Sequence, residues 1–120
     1  MDKMNPIDAL QQARDYLASH WTKGLGEPDR QDGATCAIGS LARVLAINAN
    51  QQIPVGTDWA IELIRELDGE ALDALINALP DDFMSKYQGH NEGLVWKYND
   101  EQRTVGPVLD LFDRAIAKLS

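Results

Sequence analysis

Apolar residues recur at spacings of three and four along most of this chain, which is the pattern of amphipathic helices. One face of the first such segment carries Ile7, Leu10, Ala13 and Leu17. Each helix of this kind must bury its apolar stripe against another helix. The sequence therefore predicts an all-α fold, a compact single-domain bundle of about five amphipathic helices with two long loops.

The predicted helices cover approximately residues 6–20, 34–48, 58–67, 70–79 and 104–119. Polar residues that can cap a helix start precede four of them, and these are Asn5, Asp32 or Thr35, Thr57 and Thr104. Asp68 and Gly69 separate the third helix from the fourth. Pro80 ends the fourth helix because the residue before a proline avoids the α region.

Two segments lack the helical pattern and are predicted to be long loops. Residues 21–33 consist of turn formers and charges, and they exceed the ~4 to 6 residues typical of a connection. In residues 85–103, the stretch 94–98 could form a short extended piece, although the pattern does not predict a sheet. Asp81 or Asp82 could cap one further short turn.

Length and charge limit the classes of function. The 120 residues are enough for one domain, residues 1–120, and the net charge of −8 argues against direct binding to nucleic acid or an anionic membrane. A single cysteine cannot form an internal disulfide, and no signal-like segment opens the chain. The longest apolar stretch, residues 37–47, is shorter than the ~18 to 20 residues of a membrane span. We expect a cytoplasmic protein.

Cys36 is the one candidate nucleophile. It lies near the start of the second predicted helix, where the helix dipole favours a thiolate. Catalysis also needs a base, and His20, His90 and Asn99 could complete a Cys–His–Asn arrangement. A lone cysteine in an apolar helix is more often a small core residue. The leading hypothesis therefore assigns no catalytic residue, and an enzyme that uses Cys36 is the alternative.

The sequence predicts neither a metal site nor a cofactor. One cysteine and two histidines cannot supply the four ligands of a structural zinc site. The acidic clusters lack the spacing and central glycine of a calcium loop, and caps or solvated helix faces account for them. The pair Gly24 and Gly26 lacks the third glycine and the preceding strand of a phosphate-binding loop.

Two tryptophans lie in the predicted loops. Trp21 and Trp96 each lie close to a lysine, Lys23 and Lys97, and each precedes a predicted helix. Tryptophans at such positions often close the ends of small bundles. Alternatively, the two rings form a recognition surface, because tryptophan is enriched in binding hot spots.

Three groups of residues form motifs. They are Trp21-x-Lys23-Gly24, Gly33-x-x-Cys36-x-Ile38-Gly39-Ser40-Leu41 and Tyr98-Asn99-Asp100-x-x-Arg103-Thr104-x-x-x-Val108-x-x-Leu111-Phe112-x-Arg114-Ala115. With these motifs, the chain resembles a family of small uncharacterised proteins from actinobacteria and the phages that infect them. The resemblance covers most of the chain except residues 49–89, implies such a source and implies no particular activity.

The motif residues also have a structural interpretation. Asn99 and Asp100 can form side-chain turns, and Thr104 can cap the last helix. Arg103 could pair with Asp100 or reach a loop carbonyl. Gly39 would then mark a place where this corner packs closely on the second helix.

The negative charge is concentrated in the middle of the chain. Residues 58–82 hold eight acids and one base, Arg65, so that nearly all the excess lies there. Asp58, Glu62 and Glu66 fall on one helix face at a spacing of four. Because like charges at this spacing are mildly destabilising, the line does not serve helix stability.

The leading functional hypothesis is a small acidic, non-enzymatic interaction protein of bacterial or phage origin. It would bind a host or other cellular protein through one of two surfaces. The first is the acidic face, Asp58, Glu62, Glu66, Glu70 and Asp73, and the second is formed by Trp21 and Trp96. A narrower version is imitation of DNA phosphates at a basic site of the partner. The sequence does not predict an oligomeric state.

Overall fold

The computed structural model describes residues 4–21, 35–53, 57–87 and 93–120. Within these ranges the chain forms six helices, which are α1 (Pro6–His20), α2 (Ala37–Asn48), α3 (Thr57–Asn77), α4 (Asp81–Met84), α5 (Gly93–Glu101) and α6 (Gly106–Leu119). The same ranges contain no strand, only an isolated bridge between Trp21 and Thr35. The predicted all-α class is confirmed.

Four helices enclose the core. α1 packs against α2 and α6, and α3 packs against the same two helices, while α5 contacts α2 and α3. The largest fully buried side chains come from all of these helices, and they are Phe112, Leu10, Leu17, Ile38, Leu41, Ile64, Leu72, Leu75, Leu111, Val95, Val108 and Asn99. Asn99 is the only polar residue in that set. The apolar stripes therefore meet at the centre, as amphipathic helices require.

The first helix matches its prediction. Asn5 is the N-cap, and its Oδ1 accepts a hydrogen bond from the backbone N–H of Ile7 at 2.8 Å. Pro6 occupies the first helical position, where its missing donor has no cost. The helix buries Ala9, Leu10, Ala13 and Leu17.

The start of α2 differs from its prediction. The helix begins at Ala37, not at residue 34, because Cys36 is extended and forms the N-cap. Its Sγ accepts a hydrogen bond from the backbone N–H of Gly39 at 3.4 Å. Thr35, the predicted cap, forms the bridge to Trp21 instead, and the alternative cap Asp32 lies outside the described residues.

The end of α2 is a Schellman turn. Asn50 has a φ of 56°, in the left-handed region. The backbone N–H groups of Asn50 and Gln51 donate to the carbonyls of Ile47 and Ala46. Ile47, an apolar residue in the last turn of α2, is 59% exposed. The turn directs the chain towards α3.

α3 joins the third and fourth predicted helices across a kink. Asp68 has non-helical angles, φ −162° and ψ 72°, so the predicted break is present at this residue. Its Oδ1 accepts a hydrogen bond from the backbone N–H of Ala71 at 3.2 Å and caps the second half of the helix. Asp68 is buried, and it therefore does not belong to the exposed acidic surface.

The predicted loop of residues 85–103 is wrong, since it contains α5. Leu94, Val95 and Tyr98 follow helical spacing and are buried. Burial of this face outweighs the β propensity of the valine and the aromatic residues. The predicted cap of α6 is also wrong, because Val105 is the N-cap without a side-chain hydrogen bond and Thr104 is exposed. The other predicted loop, residues 21–33, lies almost entirely outside the described residues.

The predicted short turn after Pro80 is present as α4, but its N-cap is Pro80 and neither Asp81 nor Asp82 caps it. The turn buries Phe83 against Tyr87 and Tyr98. In the part of the chain that the structure describes, no helix combines the length and the apolar character needed to cross a membrane.

Candidate functional site

A buried hydrogen-bond cluster joins α1, α2 and α5. Asn99 is fully buried, and its Oδ1 accepts hydrogen bonds from Trp21 Nε1 at 2.9 Å and from the backbone N–H of Ala37 at 3.1 Å. Its Nδ2 donates to Asp100 Oδ1 at 3.2 Å. The first N–H groups of a helix have no partner within that helix. Asn99 therefore satisfies the start of α2 from a position far along the chain.

The motif residues of the sequence meet in part at this cluster. Asn99, Asp100, Cys36 and Trp21 come together there, whereas Arg103 and Thr104 are exposed between α5 and α6. Within the described ranges Arg103 forms no ion pair with Asp100, which was one of the two contacts considered for it from the sequence. Gly39 is buried in the first turn of α2.

The candidate catalytic residues that the structure describes, Cys36, His20 and Asn99, each make other contacts within the fold. Cys36 is 1% exposed, and burial raises the pKa of its thiol above the usual value. The His20 ring stacks on Tyr16 with centroids 4.0 Å apart, and its Nδ1 lies 2.9 Å from the Tyr16 carbonyl oxygen. His90 lies outside the described residues. Asn99 uses its Oδ1 for two structural hydrogen bonds.

Trp96 lies on the outer side of α5. It lines an open groove of about 450 Å³ together with Gly93, Lys97, Asp100 and Glu101. The Lys97 Nζ lies 4.3 Å from the centroid of the Tyr87 ring, and the Tyr87 hydroxyl donates to Glu101 at 2.8 Å. This hydrogen bond raises the pKa of Tyr87. These contacts fix α5 to the segment after α4.

A second groove lies between the end of α2 and the first half of α3. It has a volume of about 470 Å³ and is lined by Gln51, Gln52, Ile53, Trp59, Glu62, Leu63 and Glu66. We call it the Trp59 groove. Trp59 is 67% exposed, and Glu62 and Glu66 are exposed beside it. The spacing of 59, 62 and 66 places the indole and both carboxylates on one face of the helix.

The remaining acids of the predicted face are distributed differently. Glu70 and Asp73 are exposed on the second half of α3, beyond the kink, and Asp73 accepts a hydrogen bond from Arg65 at 2.6 Å. The backbone of Asp58 belongs to α3, and its side chain lies outside the described part. Only Glu62 and Glu66, among the predicted acids whose side chains are described, line the Trp59 groove.

Among the described residues, no group of three or more histidine, cysteine or acidic side chains could hold a metal ion.

A family model for a family of unknown function, DUF6197, matches residues 1–118. The chain belongs to DUF6197. Neither the curated proteins nor the solved structures that were compared gave a match.

The predicted membership of an uncharacterised family is thus confirmed. The DUF6197 match also includes residues 49–89, which the resemblance from motifs left out. This middle segment contains the whole first half of α3 and all the residues that line the Trp59 groove.

Sequence reasoning missed Trp59 as a surface residue of this DUF6197 chain. In the sequence, Trp59 is one of the apolar residues of the third predicted helix together with Leu63, Ile64 and Leu67. The buried positions are instead Ala60 and Ile64, which are four residues apart. The spacing from Trp59 to Glu62 and Glu66 was the available signal, since it places the ring on the acidic side.

The burial of the Cys36 thiol leads to a direct prediction about its reactivity. Iodoacetamide should alkylate Cys36 at least about 100-fold more slowly in the native protein than in concentrated urea, because reaction requires local opening. The measurement is the time course of mass increase at pH 7.5. Because the thiol pKa is raised, the thiolate is the minor form at this pH. Rapid labelling of the native protein would contradict the core role and favour the enzyme alternative.

Proposed function

We propose that this protein is a non-enzymatic interaction module of an actinobacterium or one of its phages. It binds a host or other cellular protein through the Trp59 groove. The observation that carries the proposal is the 67% exposure of the Trp59 indole beside two exposed carboxylates. A large aromatic side chain left in water has an unfavourable hydration free energy, which a partner removes by covering it.

Trp59 is suited to anchor an interface. Tryptophan is among the residues that contribute most to binding energy, because one ring buries a large area and has few rotatable bonds. Ile53 and Leu63 are half-buried and extend the apolar floor of the groove beside it. Glu62, Glu66, Gln51 and Gln52 form a polar edge around that floor, which is the usual anatomy of an interface.

The tryptophan pair from the sequence gives weaker support for a binding surface. Trp21 is half-buried, and its indole N–H already donates to Asn99 within the fold. Trp96 is half-buried on α5. Both rings thus have packing roles, which favours the acidic helix face over the two-tryptophan surface.

The alternative of an enzyme that uses Cys36 has less support. A nucleophile must reach its substrate, and the Cys36 thiol is covered and serves as the cap of α2. The labelling measurement described above separates the two hypotheses.

The test is affinity capture from an actinobacterial lysate with matched variants. We expect Trp59→Ala to reduce the recovery of the captured partner by at least about tenfold, the effect of losing a central anchor. Ile47→Ala is the control, because Ile47 is also an exposed apolar residue but does not line the groove. Quantitative mass spectrometry measures the recovery. Equal recovery by wild type and Trp59→Ala would refute the proposal.

A further inference from the structure

No basic side chain of the described residues pairs with the two carboxylates of the Trp59 groove. Within the described residues, neither Glu62 nor Glu66 forms an ion pair or a hydrogen bond. Arg65, the one base among residues 58–82, directs its guanidinium to Asp73 at 2.6 Å, on the other side of the kink. The groove therefore combines an exposed aromatic ring with two negative charges on one helix face.

This combination excludes several occupants. A second copy related by two-fold symmetry would bring the same glutamates of both chains into one interface, where they would repel each other. Nucleic acids and anionic lipid surfaces carry negative charge and would also be repelled. A purely apolar segment would cover Trp59 but would leave Glu62 and Glu66 partly desolvated without a partner, which is costly. The complementary occupant is both cationic and apolar.

Arginine meets these requirements better than lysine. Its planar guanidinium can stack on an indole face and still donate hydrogen bonds, within its own plane, to a neighbouring carboxylate. It is also more weakly hydrated than an ammonium group, so it loses less hydration free energy when it enters a partly apolar groove. The spacing of Trp59, Glu62 and Glu66 along one face offers both interactions within about two helical turns.

We propose that the Trp59 groove recognises an arginine-bearing, partly apolar segment of a partner protein. The inference rests on the proposed function and names the chemistry of its partner. The arginine stacks on Trp59 and pairs with Glu62 or Glu66, and an adjacent apolar side chain packs on Ile53 and Leu63. The carboxylates of Glu62 and Glu66 provide specificity for the cationic side chain, and the Trp59 ring anchors the segment in the groove.

The test uses a yeast-displayed library of random dodecapeptides, selected against the full-length protein. We expect the selected peptides to be enriched in arginine next to aliphatic residues. A synthetic peptide with the consensus sequence should bind about 30-fold more weakly to Trp59→Ala and about fivefold more weakly to the double variant Glu62→Gln, Glu66→Gln. Fluorescence anisotropy measures both, and raising the salt concentration from 0.05 to 0.5 M should weaken binding to wild type.

Matched variants control for folding and total charge. Asp8→Asn with Asp110→Asn removes two exposed charges from α1 and α6 without touching the groove, and it should bind the peptide like wild type. Replacing arginine by lysine in the peptide should weaken binding about threefold. Thermal melts followed by circular dichroism establish that every variant is folded.

The outcomes separate the inference from the proposed function. Selected peptides without basic residues, or binding that survives Glu62→Gln with Glu66→Gln, would overturn the arginine inference. If lysate capture still depends on Trp59 in that case, the proposed function stands. If no selected peptide and no captured protein depends on Trp59, both are refuted.

Discussion

Replacing Asn99 by alanine should lower the free energy of unfolding by about 3 kcal/mol. The substitution removes the acceptor for two donors, Trp21 Nε1 and the buried backbone N–H of Ala37. An unsatisfied buried donor costs about 1 to 3 kcal/mol, which exceeds the value of an average hydrogen bond. Urea denaturation followed by far-ultraviolet circular dichroism measures the change.

Two companion variants identify the source of that effect. Trp21→Phe replaces the indole by a smaller aromatic ring and deletes one donor, and it should cost about 1 to 2 kcal/mol. Asn77→Ala changes an exposed asparagine at the end of α3 and should stay within about 0.5 kcal/mol of wild type. Because Asn99 holds the start of α2, Asn99→Ala should also speed alkylation of Cys36. A loss below about 1 kcal/mol for Asn99→Ala would contradict the structural role of the cluster.

Truncating Phe112 to alanine should have the largest effect on stability, about 4 kcal/mol. Phe112 is the largest fully buried side chain among the described residues, and it lies on α6, which packs against α1 and α3. Its removal loses transfer free energy and leaves a cavity that three helices cannot collapse without moving. The measurement is the shift of the urea midpoint at an unchanged m-value.

The same helix supplies the comparison for Phe112. Ile116 lies one turn further along α6 and is only partly buried, so Ile116→Ala should cost less, about 1 to 2 kcal/mol. Phe112→Leu keeps most of the apolar volume and should cost about 1 to 1.5 kcal/mol. If Ile116→Ala destabilised the protein as much as Phe112→Ala, the centre of the core would have to be assigned elsewhere.

Helices with strong local signals could be predicted from the sequence. α1 has an asparagine cap, a proline at its first position and one clear stripe, and both of its ends matched the structure. The apolar stripe of α6 was predicted correctly. Its N-cap was not, because the backbone bends at residues 103–105 and the helix begins only after Val105. Local hydrogen bonding and periodicity therefore predict where a helix lies along the chain more accurately than they predict its first and last residues.

α5 and the groove depend on tertiary contacts that a single sequence does not contain. The β-branched and aromatic residues of α5 favour a strand locally, and only burial of Leu94, Val95 and Tyr98 against the bundle decides for a helix. Trp59 is exposed because Ala60 and Ile64 take the inward positions of α3. Of the acids predicted to share a helix face, Glu62 and Glu66 line one groove, whereas the kink at Asp68 separates them from the exposed Glu70 and Asp73.

The partners of the buried cluster are far apart along the chain. Asn99 is 62 residues after Ala37 and 78 residues after Trp21. During synthesis on the ribosome, α1 and α2 are complete long before the residue that satisfies the start of α2 leaves the exit tunnel. The buried cluster can therefore form only after the C-terminal half has been synthesised. Because the fold depends on contacts between distant parts of the chain, we expect it to form slowly relative to local helix growth. A nascent chain that ends before Asn99 would leave the indole N–H of Trp21 and the backbone N–H of Ala37 without the acceptor that Asn99 provides.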